Sequence, residues 1–268
     1  MSEILQRGIA AQYDRNAERY DRAARANLLA GRRLAAAIPD GRYETLLDVG
    51  CGTGFATLAL MERFPVRAVT GVDVSAEMVE RFREKLGARP DVQTTLLVSD
   101  VREMPVADAS ADLAVCSMVL HWLADRGGAI AAIARALRPG GVMALAAPGP
   151  GHDREYVEVL RAVRPPVPAP MVDVFDRAQV FPEEVERHLA AAGMDALDVW
   201  VEERRRLVPP DAYLERITAV GSHVWSHLPP HEQEATLRRV RAGLARAAGP
   251  RGFRYTFTKT LAIARRAG

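Results

Sequence analysis

Through residues 40–150, short apolar runs alternate with amphipathic stretches. "RYETLLDVG" reads as a buried strand, and so do "VRAVTGVDVS", "VQTTLLVSD", "ADLAVCSMVLHW" and "VMALAAPG". Between them the apolar residues fall at helical spacing. Residues 55–63 form one such stretch. "SAEMVERFREKLG" is a second; it opens on a capping-box-like Ser75 and stops at Gly87. "GGAIAAIARALRPGG" predicts a helix that stops at Pro139-Gly140-Gly141. Residues 3–37 hold few breakers before Pro39 and predict helix. Strands alternating with helices of this length predict a parallel sheet covered on both faces.

Beyond residue 150 the rhythm breaks. "RPPVPAPMVDVF" is proline-rich and predicts irregular chain. "FPEEVERHLAAAGM" resumes a helix, "ALDVWVEERRRLV" is a sixth strand, residues 210–248 are helical, and "FRYTFTKTLAIARR" is a seventh strand. The expected fold is α/β, a doubly wound seven-stranded mostly parallel sheet with a helical cap. Residues 1–268 are expected to form a single domain, with a core of about 40–150, 181–208 and 252–266 and a cap from 1–30, 151–180 and 209–250.

The chemistry concentrates in "LLDVGCGTGFA", residues 46–56: a strand, a glycine loop, then a helix. That order aims backbone N–H groups and a helix N-terminus at a ligand. Gly50, Gly52 and Gly54 spell G-x-G-x-G, whereas a dinucleotide fingerprint needs glycine at Phe55 or, in the next frame, at Thr57. A pyrophosphate cradle is therefore disfavoured. Asp73 ends the second strand, where a carboxylate accepts hydrogen bonds from a ribose diol, and Asp100 ends the third, beside the backbone N–H of Val101, where the pair suits the amino edge of an adenine.

"LLDVGCGTG", "GVDVSAEMV", "SDVREMPVADASADLAVCSMVLHWL" and "ARALRPGGVMAL", in this order and spacing, resemble the class I S-adenosylmethionine-dependent methyltransferase family over roughly residues 40–150. The resemblance implies a Rossmann-like methyltransferase fold and S-adenosylmethionine as cofactor, with S-adenosylhomocysteine as product. It implies that Gly50, Cys51, Gly52 and Gly54 wrap the methionine part and the ribose, with Asp48 helping to hold the amino group. It further places Asp73 on the ribose, Val74 and Met78 on the adenine faces, Asp100 and Val101 on its edge, and Ser117 under the sulfonium. "AAQYDRNAERYDRAA" and "MVLHW" resemble the subgroup with malonyl-carrier-protein and trans-aconitate methyltransferases, in which the first helix folds over the cofactor. Tyr13 and Tyr20, seven apart, share a helix face and are expected at the site. Where that subgroup has glutamine before the tryptophan this chain has His121, a departure that bears on the substrate.

Methyl transfer from a sulfonium is an in-line displacement that needs alignment and exclusion of water. A carboxylate acceptor needs little more; a phenol, thiol or acidic carbon is helped by a base, for which His121 is the candidate. His223 and His227 have metal-ligand spacing without a third ligand, so no metal is expected. Tyr213 and Trp225 are expected to line an apolar cap.

A formal charge of +2 disfavours nucleic-acid binding, although after residue 201 basic residues exceed acids about two to one, a surface suited to an acidic substrate or carrier protein. The basic residues are nearly all arginine; the lysines are Lys85 and Lys259. Cys51 and Cys116 make no disulfide framework, the N-terminus lacks a signal-peptide core and no apolar run has transmembrane length, so a cytoplasmic protein is expected. The expected function is methyl transfer to a small molecule with a carboxylate, hydroxyl or acidic-carbon acceptor, free or carrier-linked. The alternatives are a protein or RNA methyltransferase, disfavoured by the missing N/D-P-P-Y motif, and a nicotinamide-binding or non-catalytic module of similar fold.

Overall fold

The structure, a computed structural model, describes residues 11, 13, 14, 20, 25–87, 89–221, 225 and 228–268. His223 and His227, and much of the expected N-terminal part of the cap, lie outside the described residues. The chain divides into two compact units, one of Met1–Ala147, Val180–Trp200 and Thr260–Gly268, the other of Pro148–Gln179 and Val201–Lys259.

Seven strands form one sheet: β1 (Thr45–Val49), β2 (Ala68–Asp73), β3 (Gln93–Val98), β4 (Ala111–Ser117), β5 (Leu137–Pro148), β6 (Met194–Val208) and β7 (Phe253–Arg266), in the order β3-β2-β1-β4-β5-β7-β6. The pairings among β1 to β5 are parallel. The chain winds outward from β1 through β2 to β3, then returns to β4 on the other side of β1. This reversal opens a crevice at the carboxyl ends of the strands.

In the first unit, side chains of alternate residues go to opposite faces of the sheet, as a strand requires. Leu47, Ala114, Cys116, Met143 and Leu145 join one core cluster, with α4 (Arg126–Ala136) and α7 (Pro182–Ala191). Leu46, Leu113, Val115, Val142 and Ala144 join the other, with α1 (Arg25–Ala37), α2 (Phe55–Met61) and α3 (Ala76–Leu86). The central strands β1, β4 and β5 are therefore buried on both sides, which explains their continuous apolar runs, whereas the edge strands β3 and β6 are largely exposed.

Three boundaries differ from expectation. α4 stops at Ala136, before Pro139-Gly140-Gly141, because Leu137 already pairs with Ala111 in the sheet and a residue preceding proline disfavours helix. β4 ends at Ser117 because Met118 takes a left-handed conformation (φ 62°), after which Leu120–Trp122 make one tight turn. The proline-rich stretch holds a helix, α6 (Ala169–Arg177), whose Pro170 lies in the first turn, where its missing N–H is no loss.

The second unit contains α5 (Arg154–Ala162), α6, α8 (Pro210–Gly221) and α9 (Pro230–Ala247), with the adjoining stretches of β6 and β7. Tyr156, Leu160, Leu214, Val240, Leu244 and Phe253 build its core. Tyr213 and Trp225, expected on a pocket wall, are buried members of that core.

Candidate functional site

The strand-end crevice of the first unit is a cavity with about 790 Å³ of empty space including its open mouth. β1 delivers Gly50 and Gly52, β2 delivers Val72 and Asp73, and β4 delivers Ser117. Val74 and Met78 line it from the start of α3, and Asp100 and Val101 from the turn after β3. Tyr13 and Tyr20 line it as well, their rings edge to face at 5.8 Å.

The loop after β1 is fixed by its neighbour β2. The N–H groups of Gly50 and Cys51 donate to the Val72 carbonyl at 2.7 and 3.0 Å, and Gly52 N–H donates to Asp73 Oδ2 at 2.8 Å. Asp73 Oδ1 accepts from Ser75 N–H at 3.0 Å. Burial raises the Asp73 pKa against these bonds. Gly52 has φ 50°, and a Cβ there would meet no atom within 4 Å: its missing side chain leaves room in the cavity. Gly54 serves packing instead, because a Cβ there would overlap the Phe82 ring of α3.

Four expected site residues do not line the cavity: Asp48, Cys51, Gly54 and His121. Asp48 is buried and accepts from Thr57 Oγ1 at 2.7 Å, which braces the end of β1 against α2. Burial pushes its carboxyl up to about 7. Cys51 is buried, and burial first, then the charges of Asp73 and Asp48, raise its thiol well above the usual range. His121 packs its ring against that of Trp122, centroids 4.3 Å apart and planes tilted by 41°, and Trp122 is the one of the two that lines the cavity.

The remaining polar groups differ in how they are satisfied. Asp100 accepts from the Arg102 side chain at 2.8 and 3.0 Å and from its N–H at 2.9 Å, and this guanidinium holds its carboxyl below the usual range. Ser117 Oγ is buried without a hydrogen-bond partner among the described residues, although it borders the cavity. Burial, then the neighbouring Tyr20, push the Tyr13 phenol far up, so it is a protonated donor rather than a base. Asp14 Oδ1 accepts from Ser75 Oγ at 2.5 Å and Glu77 N–H at 3.2 Å, tying the Tyr13 segment to the start of α3.

Sequence reasoning missed Val72, Ser99, Met118, Val119 and Leu123 as lining residues. Position carried a signal for each, since all lie within a few residues of a strand end. Among the described residues no group of His, Cys, Asp and Glu is placed to hold a metal, and no helix is long and apolar enough to cross a membrane.

Residues 47–145 match the Methyltransferase domain family. The chain is 33% identical over 195 residues to a malonyl-[acyl-carrier protein] O-methyltransferase of Dechloromonas aromatica, covering 71% of this chain and 67% of the relative. It is 37% identical over 141 residues to a trans-aconitate 2-methyltransferase of Azoarcus, covering 53% of this chain and 51% of the relative. The chain thus spans between half and about two thirds of these relatives. Haemonchus contortus phosphoethanolamine N-methyltransferase 2, solved with phosphomonomethylethanolamine and S-adenosylhomocysteine, shares the fold with a TM-score of 0.59 at 19% identity, over 95% of this chain and 58% of that one.

Proposed function

Since the chain belongs to the S-adenosylmethionine-dependent methyltransferase family, we propose that the strand-end cavity holds that methyl donor and that the acceptor is a small molecule bearing a carboxylate. The observation that carries this reading is the pairing of Gly52 with Asp73: an open space where a side chain would be, held beside a half-buried carboxylate by one hydrogen bond. The residues fit the group. Asp73 accepts from ribose hydroxyls with lone pairs left over from Gly52 and Ser75. Val74 and Met78 pack on the base, and Asp100 and Val101 face its edge. Ser117, buried and unpartnered, gains a polar neighbour when the cavity fills.

When bound, the cofactor supplies a methyl group already activated by the sulfonium charge. The chain's contribution is alignment and exclusion of water. Tyr13 and Tyr20 wall the cavity, with Asp14 fixing their segment on α3. The Tyr13 hydroxyl donates a hydrogen bond to a bound acceptor oxygen. Asp48 acts through Thr57, keeping the glycine loop in place. His121 is a positioning residue that sets the Trp122 ring.

The relatives named for malonyl-carrier protein and trans-aconitate both take acceptors with a free carboxylate, which supports the same class here. A carboxylate oxygen is ionised at neutral pH and attacks without a base. The test is transfer from methyl-labelled cofactor to trans-aconitate, a malonyl thioester on carrier protein, a phenol and an RNA. Label in a base-labile ester is expected; label only in an ether, an N-methyl group or RNA overturns the acceptor class.

A further inference from the structure

Two carboxylates of the first unit, Asp14 and Asp73, meet the same residue, Ser75. Its N–H donates to Asp73 Oδ1 at 3.0 Å. Its hydroxyl donates to Asp14 Oδ1 at 2.5 Å and accepts from Met78 N–H at 3.2 Å. The other oxygen of Asp73 holds Gly52 N–H at 2.8 Å. A continuous run of hydrogen bonds therefore joins Asp14 to the glycine loop. Gly52, Asp73 and Met78 on this run line the cavity, and so does Tyr13, the neighbour of Asp14 in sequence.

The members of the run differ in burial. Ser75 is fully buried, whereas Asp14 is exposed. Asp14 is the acceptor of the Ser75 hydroxyl, and a buried donor that loses its acceptor bears the cost of its own desolvation. Undocking Asp14 either orphans that hydroxyl or admits water in its place. Both outcomes fall on the donor site, because Ser75 lies two residues from Asp73 and caps the first turn of α3, which carries Met78. Charge acts along the same run. Burial chiefly raises the Asp73 pKa, and the charge of Asp14 adds to it; hydrogen-bond donors on a bound ligand offset that repulsion.

We infer that Asp14 is a positioning residue that couples binding of the methyl donor to closure of the Tyr13 wall, with Ser75 as the shared contact. The inference rests on the reading of Asp73 as the residue that takes the ribose. A docked Asp14 fixes Ser75, which in turn orients Asp73 and Met78. A bound donor fixes Asp73 and Met78, which holds Ser75 in place for Asp14. Coupling of this kind is reciprocal, and it completes a water-excluding wall when the donor is seated.

The test is calorimetric titration of the full chain with S-adenosylhomocysteine. D14A is expected to weaken binding about fivefold or more, the lower end of ordinary coupling between sites. D14N, which keeps an acceptor oxygen for Ser75, is expected to restore most of the affinity. In an S75A background, where no hydroxyl is left to orphan, D14A is expected to cost less than about twofold. Amide exchange in the peptide holding Tyr13 and Asp14 is expected to slow with S-adenosylhomocysteine in the parent protein and not in D14A. If D73A weakens binding while D14A lowers the melting temperature alone, Asp14 is a structural cap and the coupling is overturned. Equal losses from D14A with and without the Ser75 hydroxyl overturn the route through Ser75. A parent protein that binds no S-adenosylhomocysteine, or binds it equally well as D73A, removes the reading of Asp73 and the coupling with it.

Discussion

The first unit buries one carboxylate, Asp48, and half-buries another, Asp73, at the ends of parallel strands; the second buries an ammonium, Lys259, on a strand of aromatic residues over which a half-buried guanidinium, Arg216, is laid. Burial raises the pKa of both acids and lowers that of the lysine, so each unit holds its groups against their preferred charge. A shift towards the neutral form relieves part of the cost of burial, and a complementary partner would restore the charge. Hydrogen-bond donors and positive charge suit the first unit, as a sulfonium nucleoside supplies. In the second, Asp153 pairs with Arg216, and Glu202 acts on Lys259.

Removing the first unit's space is expected to have the largest effect. Gly52→Val projects a branched side chain into the cavity, and at φ 50° it costs about 1–2 kcal/mol of backbone strain, so the fold survives with a lowered melting temperature. Calorimetric titration with S-adenosylhomocysteine should show no binding. Asp73→Ala, in the same titration, should weaken binding more than about tenfold, because charge-assisted hydrogen bonds to a ligand are worth about 1.5–3 kcal/mol each. Normal binding by Gly52→Val would place the donor elsewhere and end the comparison.

The two units also differ in how openly the sequence displays them. A parallel sheet gathers the ends of its strands, so Gly50, Gly52, Asp73, Asp100 and Ser117 were legible as neighbours once the strands were recognised. The alternation of apolar runs sufficed for the seven strands and for both covered faces. Asp48 was legible as a site residue but not as a brace, because its Thr57 partner depends on how α2 leaves the loop. Gly54 belonged to the motif, yet its reason is the Phe82 ring, which comes from a helix 28 residues onward (82 − 54). α6 was hidden because prolines suggest irregular chain unless their place in the first turn is known. Lys259 reads as an exposed polar residue in "YTFTKT"; the signal available was its period-two alignment with Phe253, Tyr255 and Phe257.

Stability against pH sharpens the contrast, because the two buried groups act in opposite senses. The Asp48 carboxyl titrates near 3.8 unfolded and about 7 folded. Between those values the folded state holds a proton that the unfolded chain has released, so this contribution is full below the first value and lost as pH rises through the second. Lys259 titrates near 10.5 unfolded and about 7 folded. Here the unfolded chain holds the extra proton, so stability rises as pH rises through that window. Each slope has a ceiling of about 4 kcal/mol over roughly three units, at about 1.4 kcal/mol per unit. Denaturant titrations at stepped pH should show Asp48→Asn flattening the acid window and Lys259→Met the alkaline one. An Asp48→Asn profile that matches the parent protein would mean that Asp48 is ionised in its brace with Thr57.

The smallest effect expected is at His121, and it decides whether that residue acts as a base or as a brace for Trp122. A general base contributes about 10²–10⁴-fold to a rate, and it must reach the proton it removes. The His121 ring is packed on Trp122 at 4.3 Å, and Trp122, not His121, forms the cavity wall. Its contribution on this geometry is the position of the indole, which an aromatic ring of similar size preserves. His121→Phe is therefore expected to keep cofactor affinity and to change kcat by less than about threefold, far below the loss of a base, with the pH dependence of kcat unaltered. His121→Ala, which removes the packing, should lose more than His121→Phe while leaving the pH profile in place. A hundredfold fall in His121→Phe together with loss of one limb of the pH profile would make His121 the proton acceptor. The acceptor would then be an acidic group that needs deprotonation.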